Sequence, residues 1–292
     1  MNGAGTWFPF SAELIRGLLS SAAPLMLGSL GALFTELSGA LGIFIEGFMS
    51  LGSFFSWIFA GWTGSVPGGV LLTAVLAALC GWGLARFVHV TGADPFIVGL
   101  ALNLAAGGIT ETLSITWFGT KGVLRNPAIH IPGPLYGVQP SVYLAWGLTI
   151  IAALLIGRTR LGLRLRASGL SLEASRERGI RPERYREFSW AAAGFLAALA
   201  GAALTFRVGV YAPGGVAGRG WICLAVVFLG FRRVWGTAIA ALVFALAERI
   251  GLGAQIFGFI PATVLLGLPS ALALVLYTLS HLVEKNRVKK NY

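Results

Sequence analysis

FSWAAAGFLAALAGAALTF, residues Phe188–Phe206, runs for nineteen residues without a charged side chain. A helix needs about 20 such residues to cross the ~30 Å hydrocarbon core of a bilayer. The segment just before it, Arg158–Arg186, carries nine of the chain's 22 Lys and Arg residues. An apolar span beside a short arginine-dense connection is the pattern left on the cytoplasmic side of membrane proteins. The rest of the chain repeats it. With this one at 187–207, candidate spans lie at about 12–35, 40–61, 67–88, 94–116, 140–157, 187–207, 219–231, 234–250 and 260–283. The sequence therefore predicts an all-α, polytopic transmembrane helical bundle of about nine spans, within a range of eight to ten. Gly and Pro interrupt several spans, and 219–231 is short, so broken or re-entrant helices are expected where they face protein.

Composition agrees. Only 11% of the 292 residues are charged and 56% are hydrophobic, against about 25% charged in soluble domains. The 41 glycines suit helices that pack backbone to backbone in lipid. The net charge of +11 raises nucleic-acid binding as a function, but the basic residues flank apolar spans, and four more lie in the last eight residues. That placement excludes nucleic acid and favours contact with membrane lipid. Orientation follows from it. The connection 158–186, the pair Arg232–Arg233, the turn near Arg86–Asp94 and the tail Lys285–Lys290 are expected in the cytoplasm, with the loop 118–139 and the N-terminus outside. No basic residue precedes Arg16, which argues against a secretory signal peptide.

Within 158–186, Ser171 is a good N-cap and Gly179 stands where a helix would end, so Ser171–Arg178 reads as a short helix just below the bilayer. Pro182 prevents its continuation. Catalytic devices are missing. No GxxxxGK[ST], HExxH, GxSxG or paired CxxC occurs, so the chain has no phosphate-cradling loop and no recognisable metal or nucleophile motif. Cys80 and Cys223 read as packing residues, and His89, His130 and His281 are far apart. Ionisable residues in or near the spans are Glu46, Glu111 and Glu248–Arg249; the last two read as an interfacial pair. Glu46 sits in a Gly-rich context. Asn103 and Thr110 are polar positions within the fourth span, suited to hydrogen bonding a neighbouring helix or a ligand.

Four strings then carry a resemblance. ELSGALGIFIEG (Glu36–Gly47) resembles the ERSGVLNLGIEG signature of permease subunits of bacterial ABC importers, the ribose and branched-chain amino-acid class, nucleoside and riboflavin-type branch. GLALN (Gly99–Asn103), GLRLRASGLSLEASRERGI (Gly162–Ile180) and AGRGWICLAVVFLG (Ala217–Gly230) resemble further strings of that family, in the same order and spacing. Leu37, Gly42 and Phe44 depart from the first pattern, and Asp94 and Pro95 stand where the family usually has Asn-Gln.

The resemblance implies a single transmembrane permease domain over 1–292, of the type II-like ABC importer fold, with a cytoplasmic coupling loop at 158–186. It implies no catalysis and no cofactor in this chain, ATP-Mg being bound by a partner ATPase subunit. The other implied partners are a second, paralogous permease forming a heterodimer and an external substrate-binding protein, in a bacterial inner membrane. Ser171, Glu173, Arg176, Glu177, Arg178 and Gly179 would form the ATPase-coupling helix. Ser38, Glu46, Phe96, Asn103 and Thr110 would lie along the substrate pathway. Phe54, Phe55, Trp57, Trp62, Trp82 and Trp117 could stack on a planar heterocycle, so a nucleoside or riboflavin is the expected cargo, with a simple sugar as the alternative. An ion-coupled secondary transporter would need inverted repeats and midplane ion ligands, for which no convincing repeat is found; a membrane enzyme would need a catalytic constellation.

Overall fold

A computed structural model describes residues 12–256 except Ala128, Pro132 and Ala217. The expected span 260–283, the tail Lys285–Lys290 and His281 lie outside the described residues. Ten helices occur among those described: α1 (Ala12–Leu37), α2 (Ile45–Thr63), α3 (Val66–Thr91), α4 (Pro95–Phe118), α5 (Pro140–Arg158), α6 (Arg160–Leu170), α7 (Leu172–Glu177), α8 (Pro182–Val208), α9 (Arg219–Leu229) and α10 (Val234–Ile256). Five of them, α1, α3, α4, α5 and α8, are long and apolar enough to cross a membrane.

Helix boundaries follow local chemistry. The Ser65 hydroxyl accepts from Gly68 N to start α3, and Asp94 Oδ1 accepts from Phe96 N at 2.7 Å to start α4. Asp94 and Pro95 thus form an N-cap followed by a proline at the first helical position, where its missing N–H costs nothing. Gly92 and Gly119 close α3 and α4 in the left-handed region, at φ 69° and 67°, which a side chain would disfavour.

The bundle is built around α1, α2 and α8. These carry most of the large fully buried side chains, among them Met26, Leu30, Leu33, Phe48, Phe54 and Trp190. Helix α8 packs along α1, α2 and α3. The fit is backbone to backbone: a Cβ on Gly201 would lie 1.9 Å from Met49 O, and one on Gly52 would lie 2.4 Å from Ala198 Cα. Without a hydrophobic drive between helices in lipid, such close approach supplies the dispersion contacts that hold spans together. Helices α3, α4 and α5 present exposed apolar rows such as Leu72–Val75–Leu79 and Ile150–Leu154, as lipid-facing helices should.

Two expected spans are shorter than the sequence suggests. Residues 38–44 are not helical, so the span read at 40–61 begins only at Ile45. The span read at 219–231 is the 11-residue α9, about 16 Å long at ~1.5 Å per residue and too short to cross alone. Both departures are broken-helix geometry buried in protein. Arg158, Arg166, Arg232 and Arg233 line one groove, so these arginines share one end of the bundle, as their distribution predicts. The 119–139 loop lies at the other end, where Leu124 pairs with Tyr211 through two backbone hydrogen bonds of 2.9 and 3.2 Å.

The close approach of α2 and α8 generates a test. Gly201→Ala should lower the thermal unfolding midpoint of the purified protein by several degrees or abolish its accumulation, because overpacking costs about 1–3 kcal/mol or more. Gly83→Ala, where a Cβ meets nothing within 4 Å, should be neutral. Equal behaviour of the two variants would refute the packing assignment.

Candidate functional site: a buried crossover, a capped half-helix and a polar cavity

Between α1 and α2 the chain leaves helical geometry while still buried: Ser38, Ala40, Ile43 and Phe44 are each less than a tenth exposed. Backbone groups without helical partners are costly in a water-free interior. Here side chains from three other elements satisfy them. Arg186 donates to Ser38 O and Gly39 O at 3.3 and 3.1 Å, and Trp190 Nε1 donates to Ala40 O at 3.3 Å. The Thr35 hydroxyl accepts from Gly42 N at 2.9 Å. Asn103, from the middle of α4, donates through Nδ2 to Ile43 O at 2.9 Å and accepts through Oδ1 from Gly47 N at 2.7 Å. Gly39 takes φ 72°, a conformation open to glycine at little cost.

Glu46 follows at once. Its Oε1 accepts from Gly218 N at 2.8 Å and its Oε2 from Gly220 N at 2.6 Å. These are free N–H groups at the start of α9, so Glu46 caps that half-helix from another segment. A carboxylate is the favoured partner there, because unpaired N–H groups and the helix dipole concentrate positive charge. Gly220 must be glycine for the approach, since a Cβ would lie 2.5 Å from Glu46 N and Cα. Beside it, Arg219 reaches Glu248 at 2.5 Å. Glu248 is thus paired with α9 rather than forming the expected interfacial pair with Arg249.

Three of the five pathway candidates meet around one cavity. Glu46, Asn103 and Thr110 line a space of about 390 Å³ together with Ser50, Gly107, Glu111, Lys121 and Gly214. Lys121 bridges Glu111 at 2.7 Å. The other two lie elsewhere. Ser38 is fully buried and its hydroxyl contacts that of Ser189 at 2.7 Å. Phe96 is 54% exposed on the first turn of α4. The aromatic residues also divide. Phe54 and Trp57 are core residues packed with Ile58, Leu124 and Tyr211, and Phe54 and Tyr211 meet edge to face at 5.1 Å. Trp62 and Trp82 are exposed, and none of the six lines the cavity. Sequence reasoning missed Ser50 and Lys121, which carry no motif of their own, and Arg186, which looked like one of many surface arginines.

At the arginine-rich end, α7 forms as expected. The Ser171 hydroxyl accepts from Ala174 N, and Gly179 follows the helix at φ 73°. Glu173, Glu177 and Arg178 are exposed. Arg176 is not available to a partner in the same way, because it grips Glu183 with two hydrogen bonds of 2.6 and 3.2 Å. Ser175 is buried, donating to Ala167 O at 3.0 Å. Helix α6 occupies part of the connection expected as a loop, and Thr159 caps it, its hydroxyl accepting from Gly162 N. It docks Gly169 so closely on the crossover that a Cβ there would lie 2.3 Å from Leu37 O. The arm carrying α7 therefore rests directly on the crossover.

Removing the Asn103 amide should damage this arrangement structurally. Asn103→Leu leaves Gly47 N and Ile43 O without partners, at about 1–3 kcal/mol for each buried group. The thermal midpoint should fall by several degrees, and Asn103→Asp, which keeps one acceptor, should fall less. An unchanged midpoint in Asn103→Leu would show that the clamp contributes nothing.

Comparison with known proteins agrees with this architecture. Residues 14–279 match the family described as branched-chain amino acid transport system / permease component. The chain is similar to the nucleoside ABC transporter permease NupC of Lactococcus lactis, with 28% identity over 91% of each chain. It is equally similar to the guanosine ABC transporter permease NupQ of Bacillus subtilis, at 28% identity over 91% of each. A permease named for glucose transport, TsgC13 of Haloferax volcanii, is 27% identical over 84% of this chain and 79% of its own. Among solved structures, PsaBC from Streptococcus pneumoniae in complex with Fab matches with a TM-score of 0.52 over 92% of each chain, at 11% identity, a likeness of fold alone. With most of its length matched, the chain belongs to the permease-component family of ABC transporters: it is a multi-pass membrane protein that conducts rather than catalyses.

Proposed function

We propose that this chain is one permease of an ATP-driven importer of nucleosides, with the cavity lined by Glu46, Ser50, Asn103, Thr110, Glu111 and Lys121 as part of its pathway. The observation that carries the reading is full-length similarity to two permeases named for nucleoside and guanosine transport. The cavity fits such a cargo chemically. Its lining combines hydroxyl, amide, carboxylate and ammonium groups, which can match the hydrogen-bonding edges of a base and a ribose. The six aromatics expected to stack on a planar heterocycle do not line it, so the nucleoside reading rests on the relatives, and none of the relatives described above is named for riboflavin. The glucose-named relative keeps a sugar as the second reading.

In this reading a paralogous permease forms a heterodimer with the chain, an external binding protein delivers the nucleoside, and a separate ATPase subunit binds ATP-Mg. The arginine-rich end and the C-terminus face the cytoplasm of a bacterium, across its inner membrane. Helix α7 docks on the ATPase through Glu173, Glu177 and Arg178, with Ser171 and Gly179 shaping the helix ends. Arg176 acts inside the chain instead, tying α7 to α8 through Glu183.

Uptake tests the cargo. Cells deleted for this chain should lose accumulation of radiolabelled guanosine or adenosine, and restoring the gene should return it. Labelled glucose uptake should be unaffected. Normal nucleoside uptake with lost glucose uptake would replace the nucleoside reading by the sugar one.

Co-purification tests the coupling surface. The double variant Glu177→Lys/Arg178→Glu reverses two exposed charges without touching a described ion pair. It should insert normally but retain several-fold less ATPase subunit, because charge reversal at an interface costs several kcal/mol. Wild-type retention and wild-type ATP hydrolysis in that variant would remove α7 from the coupling role.

A further inference from the structure

At the arginine-rich end, the groove between α5–α6 and the α9–α10 turn has a volume of about 1050 Å³ and is lined by Arg158, Arg166, Arg232 and Arg233. Among the described residues no carboxylate lines it. Arg232 is partly committed, through Glu36 at 2.9 Å and the Phe228 ring. Among the described residues, Arg158 and Arg233 have no ion-pair partner. The turn that presents two of these arginines is unusual. Phe231 and Arg232 both take positive φ, 53° and 55°, a conformation that costs a non-glycine residue of order 1 kcal/mol and needs support from its surroundings. That support comes from tight packing of Gly230 on Gly236 and Thr237.

The groove opens onto apolar surface. On α10, Trp235, Ile239, Val243 and Leu246 follow at helical spacing and are 41–61% exposed. On α5, Ile151 and Leu154 are about half exposed just before Arg158. A concentration of cationic guanidiniums at the mouth of exposed apolar rows on two helices suits an anion joined to long hydrocarbon chains.

We propose that this groove is a binding site for an anionic phospholipid. The headgroup phosphate would be held by Arg158 and Arg233, with Arg166 and Arg232 around it, and the acyl chains would lie along the Trp235–Leu246 row of α10. Guanidinium groups suit this role because their planar donors can meet two phosphate oxygens at once. The site is distinct from the cavity beside Glu46 and from the α7 surface, and it does not depend on the nature of the transported molecule.

The test uses the full chain in the complex with which it purifies, in neutral detergent. Phosphatidylglycerol, phosphatidylcholine and inorganic phosphate are titrated separately, reading bound lipid by native mass spectrometry and stability by the thermal midpoint. Phosphatidylglycerol should bind and raise the midpoint, while phosphatidylcholine should not. Arg158→Gln and Arg233→Gln should each weaken binding about fivefold, and the double variant about 30-fold, from the usual strength of one basic residue at an anionic surface. Arg158→Lys should retain more binding than Arg158→Gln, which separates loss of charge from misfolding. Arg181→Gln, an exposed arginine of the same connection but outside the groove, should bind as the wild type does. The proposal is overturned if Arg181→Gln weakens binding as much as Arg158→Gln, since the attraction would then be diffuse. It is equally overturned if inorganic phosphate stabilises as well as phosphatidylglycerol, or if the assembled complex binds no phosphatidylglycerol because a protein subunit fills the groove.

Discussion

The structure depends on how seven residues of non-helical backbone, Ser38–Phe44, survive inside a membrane protein. In water such a segment would hydrate its own carbonyls. In the bundle interior each stranded group must find a protein partner or cost several kcal/mol. Arg186 and Trp190 from α8, Asn103 from α4 and Thr35 from α1 supply those partners. Helices α1, α4 and α8 are therefore fixed relative to one another by a segment that belongs to none of them. Because every donor is aimed at a particular carbonyl and every acceptor at a particular N–H, the crossover sets the register of α2 against α4 and α8 more sharply than apolar packing alone could.

The same segment sets up the second break. Once the crossover delivers Glu46 to the first turn of α2, its carboxylate meets the start of α9 and binds two amide groups there. An 11-residue helix that begins within a bundle leaves its first N–H groups unpaired, and the natural solution is an anion. That explains why a carboxylate is tolerated at a half-buried position. It also explains why the glycine-bracketed string Gly218–Gly220 accompanies it: side chains at Gly220 would hold the two segments apart. Glu46 and the GRG string are far apart in sequence but form one object.

Much of this was legible in the sequence, and the limits have physical causes. The long spans announced themselves by length and lack of charge. Helix α7 was visible because its caps, Ser171 and Gly179, are local chemistry. Helix α6 was hidden because Leu161, Leu163 and Leu165 alternate with Gly162, Arg164 and Arg166, a period of two that does not suggest a helix. Its buried positions, Gly162, Leu165 and Ser168, show the period of three only once a partner surface is known. Polarity within or beside a span, which marks Ser38, Glu46, Asn103 and Thr110 but not the apolar Phe96, cannot tell a residue facing a cavity from one satisfying backbone. Ser38 falls entirely in the second class. Asn103 does both, lining the cavity while spending its amide on Ile43 and Gly47. No spacing rule points to Arg186, because what it binds is carbonyl oxygen, which every residue has.

These contacts also make one continuous mechanical chain. Helix α7 is tied to α8 by Arg176–Glu183, and Arg186, one turn further along α8, holds the crossover carbonyls. Gly169 of α6 presses on Leu37 from the same side. The crossover leads within two residues to Glu46, which faces the cavity and caps α9. Each link is a hydrogen bond, an ion pair or a backbone contact at van der Waals distance, and none passes through a flexible loop. Packed interiors shift between discrete arrangements rather than deforming smoothly. A displacement of the α6–α7 arm that broke the Arg186 contacts would strand the carbonyls of Ser38 and Gly39, so the crossover would have to move with the arm or find new donors. The energetic penalty that keeps the crossover in place thus acts through the same contacts that join the α6–α7 arm to the residues around the cavity.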